Sequence, residues 1–254
     1  MPYTNRYLVL LALSLSVLPV PGMAAQASTG LVAGARVTTP VRVSLNFKVP
    51  KRGTPPKTAG GATRGACVSQ KQMLVPLIPP DRLGLTLQER PSFFFHAPKS
   101  PAQQADFILL TEDDSEVVYQ TTLTLPQQPG IARFDLPITA PALEAGKRYH
   151  WFMTVICDPT GGPNGNPSIE GWVERVAPER TLTKALTQAK PGDRPAVYAE
   201  AGIWHETLAS LADLRRRNPD NSKLANDWSQ LLKSVGLNAL AVEPLVDCCT
   251  LANQ

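Results

Sequence analysis

The sequence YHWFMTVIC occupies residues 149–157 and sets the fold class of the chain. Every second residue is apolar, and these residues are Tyr149, Trp151, Met153, Val155 and Cys157. Successive side chains of a β-strand point to opposite faces, so this period of two is that of a strand with one buried face. Residues 149–157 are therefore predicted to form a strand whose odd-numbered side chains enter a core.

Further strand-like runs flank this strand on both sides, and those at 93–95 and 107–110 are short continuous apolar runs of the kind found in central strands. The runs lie at residues 93–95, 107–110, 117–125, 132–136 and 168–176. The runs at 117–125 and 132–136 are separated by a short segment rich in Pro and Gly, and we expect them to form a half-buried antiparallel hairpin. Many short strands with frequent turns indicate an antiparallel β-sandwich of the fibronectin-III or Ig-like kind, which we assign to residues 67–177.

After Pro178 the apolar period becomes helical, which predicts an α+β chain with a helical C-terminal subdomain at 178–254. The two stripes of a predicted helical hairpin are Trp204, Leu208, Leu211 and Leu214, followed by Leu224, Trp228, Leu231, Leu232 and Val235. Asn221 or Ser222 is the expected N-cap of the second helix, with Gly236 just past its end. We expect this hairpin to dock on the sandwich beside Trp172, so that both parts unfold as one unit.

The N-terminus has the features of a secretory signal peptide at residues 1–24. Arg6 precedes an apolar run at 7–18, and Gly22 and Ala24 supply small residues before a cleavage site. The run is shorter than the roughly 20 residues that a membrane span needs. We therefore expect a protein exported to the periplasm or the extracellular medium, with no transmembrane segment after cleavage.

Residues 25–66 are rich in Pro, Gly and basic residues and are predicted to form a flexible basic arm. One exception is the alternation of Val41, Val43, Leu45 and Phe47, which is typical of an edge strand. The chain has 254 residues and a net charge of +4, yet all 21 acidic residues lie beyond residue 80. Because the basic part lacks interleaved aromatics and any nucleic-acid motif, no nucleic-acid partner is expected.

The four cysteines fall into two pairs. In an oxidising compartment Cys67 and Cys157 are predicted to form a disulfide, the alternative being two free thiols. Cys248 and Cys249 are adjacent, and a vicinal bridge, pairing between chains and a reduced state all stay open for them.

No pattern in the sequence indicates a catalytic residue, a cofactor or a metal ligand. The chain has neither the H-E-x-x-H nor the G-x-S-x-G motif. The acidic segment 112–116 is interpreted as an exposed turn rather than a Ca²⁺ site, and 161–167 as a loop between strands rather than a phosphate cradle. His150 is expected on a strand surface and His205 on the solvated flank of a helix.

Three tryptophans are candidates for an interaction or interdomain surface: Trp172, Trp204 and Trp228. Trp172 shares a strand face with Glu170 and Glu174, which places it outside the sandwich. Such a ring is either covered by another element or serves as a platform for a ligand. We favour burial beneath the helical hairpin.

Several longer motifs resemble a known family. They are LIPP at 77–80, PSFFF at 91–95, GKRYHW at 146–151, ICD at 156–158, GWVER at 171–175 and AEAGIWHE at 199–206. Together they resemble the cyanobacterial domain-of-unknown-function family 928 over about residues 60–254. The resemblance implies a bacterial source and brings no activity and no catalytic residues. More weakly, 146–151 is similar to a late strand of fibronectin-III domains, and 199–219 to part of a tetratricopeptide repeat.

These observations favour an exported, non-enzymatic interaction or structural protein of the bacterial envelope, with an unknown protein partner. Two alternatives stay open. One is a module that binds carbohydrate or cell wall, for which an envelope glycan would be the ligand. The other is a hydrolase whose carboxylates meet only in the folded chain.

Overall fold

The computed structural model describes residues 45–52, 55, 67, 74–81, 83–160 and 165–249. Strands precede helices along these residues, which confirms the α+β prediction. The strands are β1 (Val75–Pro76), β2 (Leu83–Thr86), β3 (Ser92–Ala97), β4 (Gln104–Thr111), β5 (Val117–Thr124), β6 (Gly130–Asp135), β7 (Arg148–Ile156) and β8 (Ser168–Arg175). The α-helices are α1 (Arg180–Gln188), α2 (Arg194–Glu200), α3 (Trp204–Arg217) and α4 (Ser222–Ser234), with 3₁₀ turns at Pro191–Asp193 and Asn238–Leu240.

The strands form two sheets. One has three strands in the order β1-β3-β6, and the other has five in the order β2-β8-β7-β4-β5. All pairs are antiparallel except β2 and β8, which run parallel with Leu83 opposite Trp172. The larger sheet is therefore mixed, and the prediction of a purely antiparallel arrangement is wrong at this edge.

The two sheets pack on each other through aromatic side chains. Phe93 and Phe134 of the smaller sheet contact Phe107 of the larger one, with ring centroids 5.0 and 4.7 Å apart, and Trp151 lies 5.5 Å from Phe93. Met153, like Trp151, is buried in this core, as the alternation in β7 predicts.

The predicted hairpin between β5 and β6 is wrong. β5 pairs with β4 and β6 pairs with β3, so the two strands belong to different sheets. Each strand does bury one face, because Leu123 and Phe134 both lie in the shared core. Two amphipathic strands can pack their apolar faces against each other from opposite sheets of a sandwich, or they can lie side by side in one sheet. Alternation alone does not distinguish these two arrangements.

Helices α3 and α4 cover the outer face of the smaller sheet. Phe94 lies between two core residues of β3, and the pleat sends its ring to the opposite face, where it clusters with Ile131, Trp204 and Trp228. The indole N–H of Trp204 donates to the Leu77 carbonyl over 2.9 Å. The helical hairpin therefore docks on this face, and the first turn of α3 also contacts β2, the strand that pairs with the Trp172 strand.

The predicted cap of α4 is confirmed. The side chain of Asn221 accepts hydrogen bonds from the backbone N–H groups of Lys223 and Leu224, at 3.0 and 3.2 Å. Gly236 adopts φ of +79° just past the end of the helix, a conformation that favours glycine.

Residues 45–52 are packed against the helices, so the prediction of a tether is wrong for this part of the arm. Leu45 and Phe47 are buried, and the Phe47 ring meets Trp204 edge-on at 4.8 Å. The Phe47 N–H donates to Ser234 Oγ over 3.1 Å. Residues 45–48 form no strand, and the signal-peptide prediction at 1–24 lies outside the described residues, as does the arm at 25–44.

Both cysteine pairs form disulfides in the structure. Cys67 is bonded to Cys157 with Cα atoms 5.4 Å apart, and Cys248 is bonded to its neighbour Cys249. No helix in the part of the chain that the structure describes has the length and hydropathy needed to cross a bilayer.

Non-reducing peptide mapping of the full chain, purified without reductant, is expected to recover a peptide containing Cys67 linked to one containing Cys157. The reason is that the two thiols meet at bonding distance in the fold, and an oxidising compartment preserves such a bond. The same digest after reduction serves as the control and should release both peptides. Recovery of both cysteines alkylated before any reductant is added would contradict the prediction.

Candidate functional site

An apolar groove lies between α1, α2 and the β2 edge of the larger sheet, with a cavity volume of about 740 Å³. Leu85, Val176 and Ile203 contribute from the sheet side and from the start of α3. We call it the α1–α2 groove, lined by Pro50, Arg52, Leu85, Val176, Ala177, Glu179, Thr181, Leu182, Ala185, Asp193, Ala196, Val197, Glu200, Ala201 and Ile203. Its volume and apolar lining are those of a binding site for a small molecule or a peptide segment.

Local sequence signals set the shape of the groove. Pro191 opens a 3₁₀ turn that separates α1 from α2, and Pro195 occupies the first turn of α2, where its missing N–H costs nothing. Gly202 follows α2 with φ of +72°, and a Cβ on it would lie 2.9 Å from the Lys48 carbonyl oxygen. A glycine is therefore required for residues 45–52 to approach, and the Lys48 N–H donates to the Ala199 carbonyl over 3.1 Å.

The rim of the groove is acidic. Glu200 is ion-paired with Lys48 at 2.9 Å, and Arg52 is ion-paired with Glu174 at the same distance. Glu174 is buried and also binds Arg148 at 2.9 Å, so two guanidinium groups hold one carboxylate and fix the segment around Arg52. Among the lining residues this leaves the carboxylates of Glu179 and Asp193 to set the charge of the rim.

Trp172 lies beside the groove in one apolar cluster with Leu85, Leu182 and Ile203. Its ring is only 1% exposed, so it offers no open platform to a ligand. The cover comes from α1, from α2 and from Ile203, which precedes α3, rather than from the apolar stripes of α3 and α4.

His150 is buried, and the prediction of a surface position is wrong. Its ring stacks on Trp172 with centroids 4.1 Å apart and an angle of 7° between the planes. Nδ1 lies 2.8 Å from the Asp114 carboxylate in the β4–β5 turn, and Nε2 lies 3.4 Å from Glu170. This turn is the acidic segment 112–116, which the sequence pattern predicts to be an exposed turn. It covers the face of β7 that strand alternation alone assigns to solvent.

A second, polar depression lies where α3 meets the ends of β3 and β6, with a volume of about 400 Å³. We call it the α3 cleft, lined by Gln88, Arg90, Ser92, Arg133, Asp135, Tyr198, His205, Glu206, Ala209, Ser210 and Asp213. His205 and Glu206 are both buried, so the predicted solvated flank is wrong for them. The first turn of α3 presses on β2, and a Cβ on Gly84 would lie 2.5 Å from His205 Nε2.

His205 is held as a neutral ring. Its Nδ1 lies 2.8 Å from the Ser92 carbonyl oxygen, which can only accept, so the Nδ1 proton is donated there. Burial lowers the pKa of His205 to about 4 despite this hydrogen bond.

Glu206 has a buried carboxyl group of which one oxygen is hydrogen-bonded and the other is not. Its Oε1 accepts hydrogen bonds from Thr86 Oγ1 at 2.7 Å and from the N–H groups of Leu87 and Gln88 at 3.2 and 3.3 Å. Oε2 is buried and has no hydrogen-bond partner among the described residues. Burial raises the pKa of Glu206, against the opposing effect of these hydrogen bonds.

Three carboxyl groups converge on the α3 cleft, which is the arrangement that a hydrolase would need. Asp213 and Asp135 both bind Arg133, the first at 2.8 Å from Nη1. The ion pairs with Arg133 engage both aspartates, and burial raises the pKa of Glu206. The cleft is therefore better suited to hydrogen bonding a ligand than to activating a nucleophile.

The three tryptophans singled out in the sequence all lie inside the protein. Trp204 and Trp228 are fully buried between the helices and the smaller sheet, and Arg215 lies over the Trp228 ring at 5.1 Å. Sequence reasoning missed both the groove and the cleft. The residues that line them come from separate helices and strands, so no single stretch of sequence identifies either site. Small lining residues such as Ala185 and Ala196 add no recognisable motif.

Residues 59–245 match the family model described as Domain of Unknown Function (DUF928). This confirms the family resemblance found in the sequence motifs, and the cyanobacterial origin stays a prediction. No curated protein matches the chain. No solved structure matches it.

Proposed function

Because the chain belongs to the DUF928 family, whose description assigns no activity, we propose a function from its geometry: a non-enzymatic binding protein of the bacterial envelope. In this proposal the α1–α2 groove holds an apolar peptide segment of a partner protein. The observation that carries the proposal is a cavity of about 740 Å³ with an apolar floor. Apolar surface of this kind, rimmed by charge, marks interaction sites on proteins.

The charge of the rim favours a peptide over a lipid. Arg52 is already neutralised by Glu174, so an anionic headgroup would meet the carboxylates of Glu179 and Asp193. The basic neighbours Arg180 and Arg194 do not line the groove. A segment with apolar anchors and a flanking Lys or Arg would complement both the floor and the rim.

Export is part of the same proposal. Residues 1–24 have the composition of a signal peptide, and the Cys67–Cys157 disulfide suits an oxidising compartment. We also propose that the two sheets form an Ig-like or fibronectin-III-like sandwich and that α3 and α4 pack as in a tetratricopeptide unit. The contact between the sheets and the short turn between α3 and α4 support this, while the parallel β2 departs from the usual sandwich.

Filling the groove is expected to weaken peptide binding. A labelled amphipathic peptide of Leu and Lys should bind the full chain saturably in fluorescence anisotropy. Ala185→Trp places an indole in the groove and should weaken binding by ~10-fold or more, equivalent to about 1.4 kcal/mol. The matched control is Thr187→Trp, which adds the same bulk at an exposed position of the same helix.

A second probe tests the charge of the rim. A peptide with Glu in place of every Lys should bind more weakly than the Leu/Lys peptide. Equal effects of Ala185→Trp and Thr187→Trp would contradict the groove as the binding site. Equal affinity for both peptides would contradict the basic partner.

A further inference from the structure

The α3 cleft differs chemically from the α1–α2 groove. Ala209 is the one aliphatic residue among those that line it, and the rest carry hydrogen-bonding or charged groups. Helix α2 lies between the two sites, since Val197 lines the groove and Tyr198 lines the cleft. No residue is shared, so a ligand of the cleft is independent of the partner proposed for the groove.

The arginines and aspartates that line the cleft are equal in number. Arg133 binds both Asp135 and Asp213, and Arg90 donates from Nε to the Ala140 carbonyl over 3.0 Å. Two guanidinium groups thus face two aspartate carboxylates, and burial raises the pKa of the third carboxyl group, that of Glu206. Because no sign of charge is in excess among these arginines and aspartates, a neutral polar ligand suits the cleft better than a charged one.

Two buried atoms of residues that line the cleft lack a hydrogen-bond partner among the described residues, His205 Nε2, which faces Gly84 of β2, and Glu206 Oε2. Glu206 is 7% exposed, and its Oε2 makes no hydrogen bond within the described part of the chain. Buried polar atoms are almost always hydrogen-bonded, to protein, to water or to a ligand. Since Oε1 is occupied by groups at the end of β2, Oε2 is the oxygen left for a group in the cleft.

We propose that the α3 cleft binds a neutral sugar residue through Glu206, Asp213 and Arg90. A sugar hydroxyl both donates and accepts hydrogen bonds, and the cleft offers both functions side by side. Carboxyl oxygens of Asp135, Asp213 and Glu206 can accept, while Arg90 and Tyr198 can donate. The volume of about 400 Å³ is at the lower end of the ~300–1,000 Å³ of small-molecule sites.

Calorimetric titration of the full chain with glucose, N-acetylglucosamine and glucuronate tests the proposal. Saturable binding of at least one neutral sugar is expected, with glucuronate at least ~10-fold weaker. Asp213→Ala removes an acceptor at a half-exposed position and should weaken binding ~10-fold, whereas Asp220→Ala in the exposed α3–α4 turn should change nothing.

Substitutions of Glu206 separate hydrogen bonding from charge. Glu206→Gln should retain binding, because the carboxamide keeps an accepting oxygen and supplies an N–H donor. Glu206→Met should abolish it, and if that variant fails to fold then Asp213→Ala decides. Ala185→Trp should bind sugar like the wild type, so failure of the groove proposal would leave this one standing.

A trisaccharide of N-acetylglucosamine identifies the source of the sugar. Binding at least as tight as that of the monosaccharide would assign the cleft to the end of a glycan, and exclusion of the trisaccharide would assign it to a free sugar. The proposal is overturned if no neutral sugar binds saturably, if glucuronate binds as tightly, or if Asp213→Ala leaves affinity unchanged. In those cases the cleft holds water alone or a charged ligand.

Discussion

Trp204→Ala is expected to lower the free energy of unfolding by about 3–5 kcal/mol, the range for truncating a large buried aromatic. Trp204 is fully buried where three parts of the chain meet. Its ring contacts Phe47 from the N-terminal side, and its N–H binds the Leu77 carbonyl. Truncation would remove this apolar contact, open a cavity and leave a buried carbonyl without its donor.

Urea denaturation followed by circular dichroism measures the effect. Trp204→Phe is the matched control, because it keeps an aromatic ring and loses only the hydrogen bond and part of the volume, so its cost should be clearly smaller. The wild type should unfold in one transition, since the helices and the smaller sheet share a buried cluster. An unchanged midpoint for Trp204→Ala, or two separate wild-type transitions, would show that the helices fold on their own.

Acid is expected to destabilise the protein through His205 by about 3 kcal/mol between pH 7 and pH 4. The unfolded chain binds a proton at this residue near its ordinary pKa of 6.5, while the folded chain binds it only near 4. The unfolded state therefore holds more protons in this range, and stability falls as the pH falls.

Glu206 acts in the opposite direction. Its pKa is raised above 4.5 in the folded state, so its contribution to stability is present below pH 4.5 and is lost as the pH rises through the folded pKa. The two effects are separated by single substitutions. His205→Gln keeps a donor for the Ser92 carbonyl and should lose the acid-dependent drop, whereas Glu206→Gln should retain it. Thermal melts from pH 4 to 7 provide the measurement, and identical profiles for the wild type and His205→Gln would refute the assignment.

Local alternation predicts the strands and helices of this fold better than it predicts which of them lie next to each other. It placed Trp151 and Met153 in the core and identified the stripes of α3 and α4, because these features depend only on the period of the side chains. It could not determine that β5 and β6 lie in different sheets, since each strand has the same amphipathic pattern either way. Phe94 shows the same limit. Its place in a strand is clear from the sequence, but the helix that covers its ring lies more than a hundred residues further along the chain.

The errors at His150 and His205 have one physical cause. Both were assigned to solvent because they alternate with, or flank, residues of an apolar face. In the fold the Asp114 turn covers the first and β2 receives the second, next to Gly84. A glycine opposite a buried ring is a signal that only the tertiary structure makes interpretable, and the groove and the cleft depend on such contacts throughout.

The parallel pairing of β2 with β8 has a consequence for how the chain folds. Leu83 cannot pair with Trp172, and Phe47 cannot contact Trp204, until the later residue of each pair has been synthesised. Both contacts therefore join segments that are synthesised far apart in time. Folds dominated by such distant contacts have a high contact order and fold slowly, because loop-closure entropy is lost before the contacts form. The Phe-rich β3 is also synthesised well before the helices that cover it, which leaves apolar surface exposed on the nascent chain. We therefore expect the earlier half of the chain to reach its final structure only after the helices that cover β3 have been synthesised, and a chain truncated before Trp204 to be prone to aggregate.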